Sequence, residues 1–190
     1  MKTKLLVGIT GSFCNHEKVF HELCKICNDY EIDFVFTKNV VNLDTRFYKA
    51  SEFYQLCSLI SKNIIIDLVE AEKIGPSNPY DLMVIVPCTA NTLSRIVHGG
   101  YDCPVALCAK AMIRNQKNVL IGVSSNDILG ISGVNLMQCL NMKYFYFIPF
   151  YQDDCHMKPR SCTCDISLLK DSIDQALNNE QIQPILREKK

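Results

Sequence analysis

The sequence predicts an α/β protein: one three-layer domain built on a mostly parallel sheet of six strands. Three observations carry this reading. Short apolar runs alternate along the chain with segments whose apolar residues recur at helical spacing. Several of the runs are apolar throughout rather than alternating, the pattern of strands covered on both faces. And 190 residues, 48% of them hydrophobic, suit a single domain, one able to bury about 70% of its unfolded surface.

The elements follow in order. Lys4-Leu5-Leu6-Val7-Gly8-Ile9 reads as a strand, and Thr10-Gly11-Ser12 as a turn. A helix then places Val19, Phe20, Leu23 and Ile26 on one face. Asp33 to Phe36 is strand-like, with Thr37-Lys38-Asn39 at its carboxyl end. Phe47, Ala50, Phe53, Tyr54, Cys57 and Ile60 recur with helical period and predict a helix from Asp44 to Ser61. Ile64 to Val69 is the third strand, and the Gly75-Pro76 and Asn78-Pro79 pairs make Glu70 to Tyr80 a loop. Leu82 to Val86 is a buried strand that Pro87 stops, and Leu93, Ile96 and Val97 mark the helix after it. A short helix spans Asp102 to Arg114, and Val119 to Val123 is a continuous apolar strand. Ser124-Ser125-Asn126-Asp127 leads through a glycine-punctuated turn to a helix near Val134 to Leu140. Tyr144 to Ile148 is the last strand, Asp165 to Leu177 the closing helix, and Arg187 to Lys190 a frayed tail.

Composition narrows the function. Charged residues make up 21% of the chain and the formal net charge is zero, so no basic stripe points to nucleic acid. No apolar run approaches the length needed to span a bilayer, and polar Thr10, Ser12 and Asn15 interrupt any export signal, which predicts a cytoplasmic protein. The eleven cysteines are scattered and expected to be reduced. Cys24-Lys25-Ile26-Cys27 sits late in a helix, whereas a redox pair uses the helix start. Cys155, His156, Cys162 and Cys164, in a predicted polar loop, lack the paired spacing of a zinc site, so no metal is expected. Cys88 alone falls in a turn that could form a pocket.

Candidate binding chemistry lies at strand ends. Cys88-Thr89-Ala90-Asn91-Thr92 opens a helix, where unpaired N–H groups and partial positive charge suit a phosphate or carboxylate. An ordinary N-cap explains the same residues. Thr10-Gly11-Ser12 repeats the arrangement, with a glycine that permits close backbone approach. It is neither G-x-G-x-x-G nor a Walker loop. Such units converge on one crevice when their strands are parallel neighbours at a topological switch point.

Taken together, Gly8-Ile9-Thr10-Gly11-Ser12, Pro87-Cys88-Thr89-Ala90-Asn91-Thr92 and the following Ile96…Gly99…Asp102 resemble the flavoprotein family of homo-oligomeric, FMN-containing cysteine decarboxylases, whose second motif reads P-A-[ST]-A-N-T. The resemblance runs nearly the full length, through Asp44 to Phe47, Glu70 to Pro76, Ala109 to Asn115, Ser125 to Gly130 and Tyr146 to Phe150. It implies a Rossmann-like (flavodoxin-like) domain over residues 1–190. The decarboxylase residues are missing: Glu72 and Lys73 stand in the zone of the family's catalytic His, and Ser124 to Gly130 carries neither Met nor Trp of the P-x-M-N-x-x-M-W motif.

The resemblance further implies FMN, with Gly11, Ser12 and Thr37 on its phosphate and Pro87, Thr89, Ala90 and Asn91 lining the ring system or the substrate. The activity it suggests is oxidation of a small cyclic dicarboxylate to an aromatic ring, with a dehydrogenase-like partner that alone would use NAD(P). Arg46, Lys110 and Arg114 are the cationic candidates for the carboxylates, although a solvated helix charge explains each as well. No catalytic base stands out among His16, His21, His98 and His156; Asn126, Asp127 and Glu72 are the catalytic candidates. A trimer-based homo-oligomer is expected. Two other readings stay open: a non-catalytic partner with an empty flavin cradle, and a different flavin-modifying enzyme on the same fold.

Overall fold

A computed structural model describes residues 2–61 and 63–188. Strand β1 (Lys4–Ile9) leads to α1 (His16–Ile26), β2 (Glu31–Phe36), the short α2 (Lys38–Asn42), α3 (Ala50–Ser58), β3 (Ile64–Ile65) and α4 (Leu68–Glu72). Then come β4 (Leu82–Cys88), α5 (Ala90–His98), α6 (Pro104–Arg114), β5 (Asn118–Ser125), α7 (Gly133–Leu140), β6 (Phe145–Phe147), β7 (Phe150–Asp154), β8 (Lys158–Cys164) and α8 (Leu169–Leu177). The sheet runs β3-β2-β1-β4-β5-β8-β7, with β6 also on β5. β1 pairs in parallel with both β2 and β4, and β4 with β5. This is the expected flavodoxin-like α/β fold, with eight strands in place of six. Among the described residues no helix is long and apolar enough to cross a membrane.

Apolar density at the centre explains the topology. Leu5, Leu6, Val7 and Ile9 of β1 and Leu82 to Val86 of β4 are fully buried. Burying a side chain of this size contributes about 1.5–3 kcal/mol. Gly8 lets β1 sit close to its cover, since a Cβ there would come within 3.0 Å of Val105 on α6. The chain runs outward from β1 to β2 and β3, then crosses to β4 and β5 on the other side. The carboxyl ends of β1 and β4 therefore flank the switch point, where ligands gather in open α/β sheets.

Local hydrogen bonding overrides the sequence reading in several places. The helix expected over Asp44 to Ser61 begins only at Ala50. Thr45 Oγ1 accepts from the N–H groups of Phe47 and Tyr48, a local turn that competes with helix, and Asp44 Oδ1 accepts from Ala50 N at 2.9 Å. The strand expected over Ile64 to Val69 is cut to two residues because Asp67 accepts from Glu70 N and caps α4. Pro87 does not stop β4, which runs on to Cys88 with a register shift against β5.

The largest difference is the antiparallel β7–β8 hairpin, where a polar loop was expected. Phe150 faces Cys164 and Gln152 faces Cys162, and both cysteines are buried. Asp154 Oδ1 builds the tip by accepting from His156 N and Met157 N. Arg187, placed by sequence in a frayed tail, donates its N–H to Phe150 O at 3.0 Å. Lys189 and Lys190 lie outside the described residues.

Candidate functional site

A cleft of about 890 Å³ opens over the carboxyl ends of β1, β4 and β5, within the roughly 300–1,000 Å³ typical of ligand pockets. The β1 and β4 ends are locked together by Thr10. Its hydroxyl donates to Pro87 O at 2.7 Å and accepts from Thr89 N at 3.0 Å. This lock aligns the Gly11-Ser12 turn with the start of α5. There Thr89 caps the helix through Thr92 N, and Asn91 Oδ1 accepts from Arg95. Arg95 also pairs with Asp102 at 2.8 Å, so Asn91 is oriented from beneath by a charged network. Ala90 and Asn91 present the first N–H groups of a nine-residue helix to the cleft.

A second polar knot joins β1 to β5. Ser124 Oγ lies 2.7 Å from Ser12 Oγ and accepts from Asn15 Nδ2 at 2.6 Å. Neither Asn15 nor Ser124 was singled out from sequence, because their role depends on the β1–β4–β5 neighbourhood rather than on a motif.

His16 supports the turn from below. Fully buried, its Nε2 donates to Thr10 O at 2.6 Å, which leaves Nδ1 to accept from the Tyr48 hydroxyl. Burial without a carboxylate partner lowers its pKa to about 4, so the ring is neutral at pH 7. Tyr48 stacks on His16 and on Phe53, and burial raises its own pKa. The Thr45–Tyr48 turn, carrying Arg46 and Phe47 on the cleft rim, is thereby fastened to α1.

The structure brings Gly11, Ser12, Arg46, Pro87, Thr89, Ala90, Asn91 and Asn126 to this cleft. It does not bring five other residues. Thr37 is not among the lining residues. Asp127 turns its carboxylate onto Ser132 N and Oγ, fixing the turn before α7. Glu72, Lys110 and Arg114 line a separate cavity of about 250 Å³ between α4 and α6, and Lys110 stacks on Tyr101. These helices run away from the strand ends, so helical charge alone misplaced the two cations. The hairpin adds a wall that sequence reasoning missed: Tyr151, Asp153, Lys158 and Ser161 to Cys164, continued by Asp165. Alternation of Ser/Thr with Cys over Ser161 to Cys164, after the Asp154 turn, was the available signal. Cys88 faces away, fully buried, and burial pushes its thiol well above the ordinary range. Cys14, in contrast, is exposed in the cleft.

One feature of the cleft fits a phosphorylated flavin, and a second lies beside it. A Cβ on Gly11 would meet nothing nearer than Phe13 at 3.7 Å, so the backbone there is open to close approach. Thr37 Oγ1, one strand over, is buried with no hydrogen-bond partner. A hydroxyl left so costs about 1–3 kcal/mol; it lies outside the cleft lining and would meet a phosphate there only by rotating toward it.

Comparison with known proteins agrees with this geometry. The Flavoprotein family matches residues 1–162. The dipicolinate synthase B subunit of Bacillus subtilis (strain 168) is 42% identical over 183 residues, covering 95% of this chain and 92% of that protein. The crystal structure of the dipicolinate synthase B subunit from Bacillus halodurans C superposes with a TM-score of 0.90 at 36% identity, over the whole of both chains. Burkholderia xenovorans DmrB in complex with FMN, described as a cubic protein cage for redox transfer, shares the fold at a TM-score of 0.69 and 11% identity, over 94% of this chain and 97% of its own. The chain therefore belongs to the flavoprotein family, among the relatives of the dipicolinate synthase B subunit.

Proposed function

We propose that this chain is the flavin-binding subunit of a dipicolinate synthase, working with a dehydrogenase-like A subunit to oxidise dihydrodipicolinate to dipicolinate during sporulation. The observation that carries the reading is the cleft at the switch point, where Gly11, Ser12, Thr89, Ala90 and Asn91 converge beside a helix N-terminus. FMN, when bound, supplies a hydride acceptor. Gly11 and Ser12 would hold its phosphate, with Thr37 turning its unpartnered hydroxyl toward it. Pro87, Thr89, Ala90 and Asn91 would line the ring. The chain's own contribution is to orient the dicarboxylate, compensate its charge and keep water out while the substrate ring loses a hydride and a proton. Nicotinamide chemistry is assigned to the dehydrogenase-like partner. The exposed side chains of Leu129, Ile131, Val134 and Met137 around α7 supply an apolar face for a trimer-based homo-oligomer in the cytoplasm.

The test is a reconstituted assay. Dihydrodipicolinate oxidation is followed with the dehydrogenase-like partner alone, with this chain added, and with the Gly11→Val and Asn91→Ala variants. Turnover that needs both proteins and FMN, and falls with either variant, supports the reading. Full turnover with the partner alone overturns it and leaves a stabilising, non-catalytic role for this chain.

A further inference from the structure

The cleft wall carries an unbalanced charge once its ion pairs are followed. Its carboxylates are Asp153 and Asp165, and its Lys and Arg cations are Lys18, Arg46 and Lys158. Lys158 Nζ is 3.1 Å from Asp153 Oδ2. Asp165 is engaged on both oxygens: Oδ1 accepts from Ser167 Oγ at 2.6 Å, and Oδ2 lies 3.5 Å from Arg187 Nε. Arg187 is not part of the wall. It arrives on the C-terminal segment, whose Ile185 O and Arg187 N bracket Phe150 with bonds of 2.9 and 3.0 Å along the outer edge of β7. Each acidic residue of the wall thus has a cationic partner.

The remaining cations do not. Among the described residues no carboxylate lies within ion-pair distance of Lys18 or Arg46. Both flank the buried His16–Tyr48 hydrogen bond, Lys18 two residues after His16 and Arg46 two residues before Tyr48. That neutral contact ties α1 and the Thr45–Tyr48 turn, which carry the two cations, to each other, and both side chains line the cleft. An anion entering the cleft gains from both. Arg offers a planar fork and Lys a mobile point charge, a combination suited to carboxylate oxygens.

We propose that Lys18 and Arg46 are the carboxylate-binding pair for a small dicarboxylate in this cleft, and that Arg187 is a positioning residue that keeps Asp165 from opposing it. The identity of the dicarboxylate rests on the function proposed above; the pair and its electrostatic support do not. A flavin phosphate is the competing anion, and it would be met instead by the neutral donors of Ser12 and the turn backbone.

The experiment is calorimetric titration of the full-length chain with pyridine-2,6-dicarboxylate at low salt, with and without FMN, alongside a separate FMN titration. Lys18→Ala and Arg46→Ala are each expected to weaken dicarboxylate binding about 10- to 100-fold, as loss of a hydrogen bond to a charged group does, and to leave FMN affinity within about twofold. Arg187→Ala is expected to weaken it about two- to fivefold, the scale of a partly exposed ion pair, and Asp165→Asn in the same chain to restore it. Unchanged binding in both cation variants makes Lys18 and Arg46 solvated charges and overturns the pair. A parallel loss of FMN affinity gives them to the phosphate and overturns it equally. Failure of Asp165→Asn to rescue makes Arg187 a mere edge-strand anchor. A wild-type chain that binds no dicarboxylate in either state refutes the proposal, whereas dicarboxylate binding without FMN binding refutes only the flavin reading.

Discussion

His16 gives the folded chain an acid-sensitive stability that its own substitution should remove. The ring is fully buried between Thr10 O and the Tyr48 hydroxyl, and its pKa falls from 6.5 to about 4 because burial disfavours the charged form. The folded-state value lies below the unfolded one, so at pH values between the two the unfolded chain binds a proton that the folded chain refuses. The stabilisation is complete above pH 6.5, declines as pH falls toward 4, and declines no further once the folded ring also protonates. The gap corresponds to about 3 kcal/mol, or about 6–12 °C of melting temperature for a chain of this size. His16→Gln keeps a donor for Thr10 O and an acceptor for Tyr48 but cannot titrate. Urea unfolding at about pH 7, 6, 5 and 4.5 should show wild type losing, by the last point, about 2.5 kcal/mol beyond any loss in the variant. Parallel curves for the two proteins would refute a buried neutral His16 and, with it, the fastening of the rim turn to α1.

Three further outcomes follow from the same geometry. Gly122→Ala should destabilise the fold by about 1–3 kcal/mol, since the new Cβ would lie 2.7 Å from Val86 Cγ2 and 3.1 Å from Cys164 Sγ; a chemical-denaturation midpoint equal to wild type contradicts this. Gly11→Ala should melt within about 2 °C of wild type, its Cβ having 3.7 Å of clearance, yet bind FMN at least about tenfold more weakly, which fluorescence titration reads. Under limiting maleimide, Cys14 and Cys155 should label first among the eleven cysteines, being the exposed ones, and of these two FMN should protect Cys14 alone because Cys155 does not line the cleft; equal protection of both, followed by peptide mass mapping, argues against ligand binding there.

How much was legible in advance depended on the range of the interaction. The parallel core, β1, β2, β4 and β5, could be read from runs of consecutive apolar residues, because burial on both faces leaves that mark without knowledge of the neighbours. The turns at Gly11 and Asn91 were legible as helix starts. What escaped were decisions made by single side chains against the local pattern. Thr45 and Asp67 each accept backbone N–H bonds that end a helix or strand the apolar spacing had extended. The β7–β8 hairpin escaped because half its residues are polar and its buried cysteines face the sheet only after folding. The same limit misassigned charge. Arg114 and Lys110 looked equivalent to Arg46 in sequence, and the direction of α6 separated them. Asp153, Asp165 and Lys158 could enter the site only with the hairpin.

The most direct test of a flavin site at the β1–β4 switch point is the absorbance spectrum of the purified chain, from roughly 300 to 550 nm, after loading with FMN and desalting. Flavin bands retained by wild type and lost in Gly11→Val and Asn91→Ala, with both variants still folded by circular dichroism, are the predicted result. A colourless wild-type chain, or bands that persist in both variants, would contradict it.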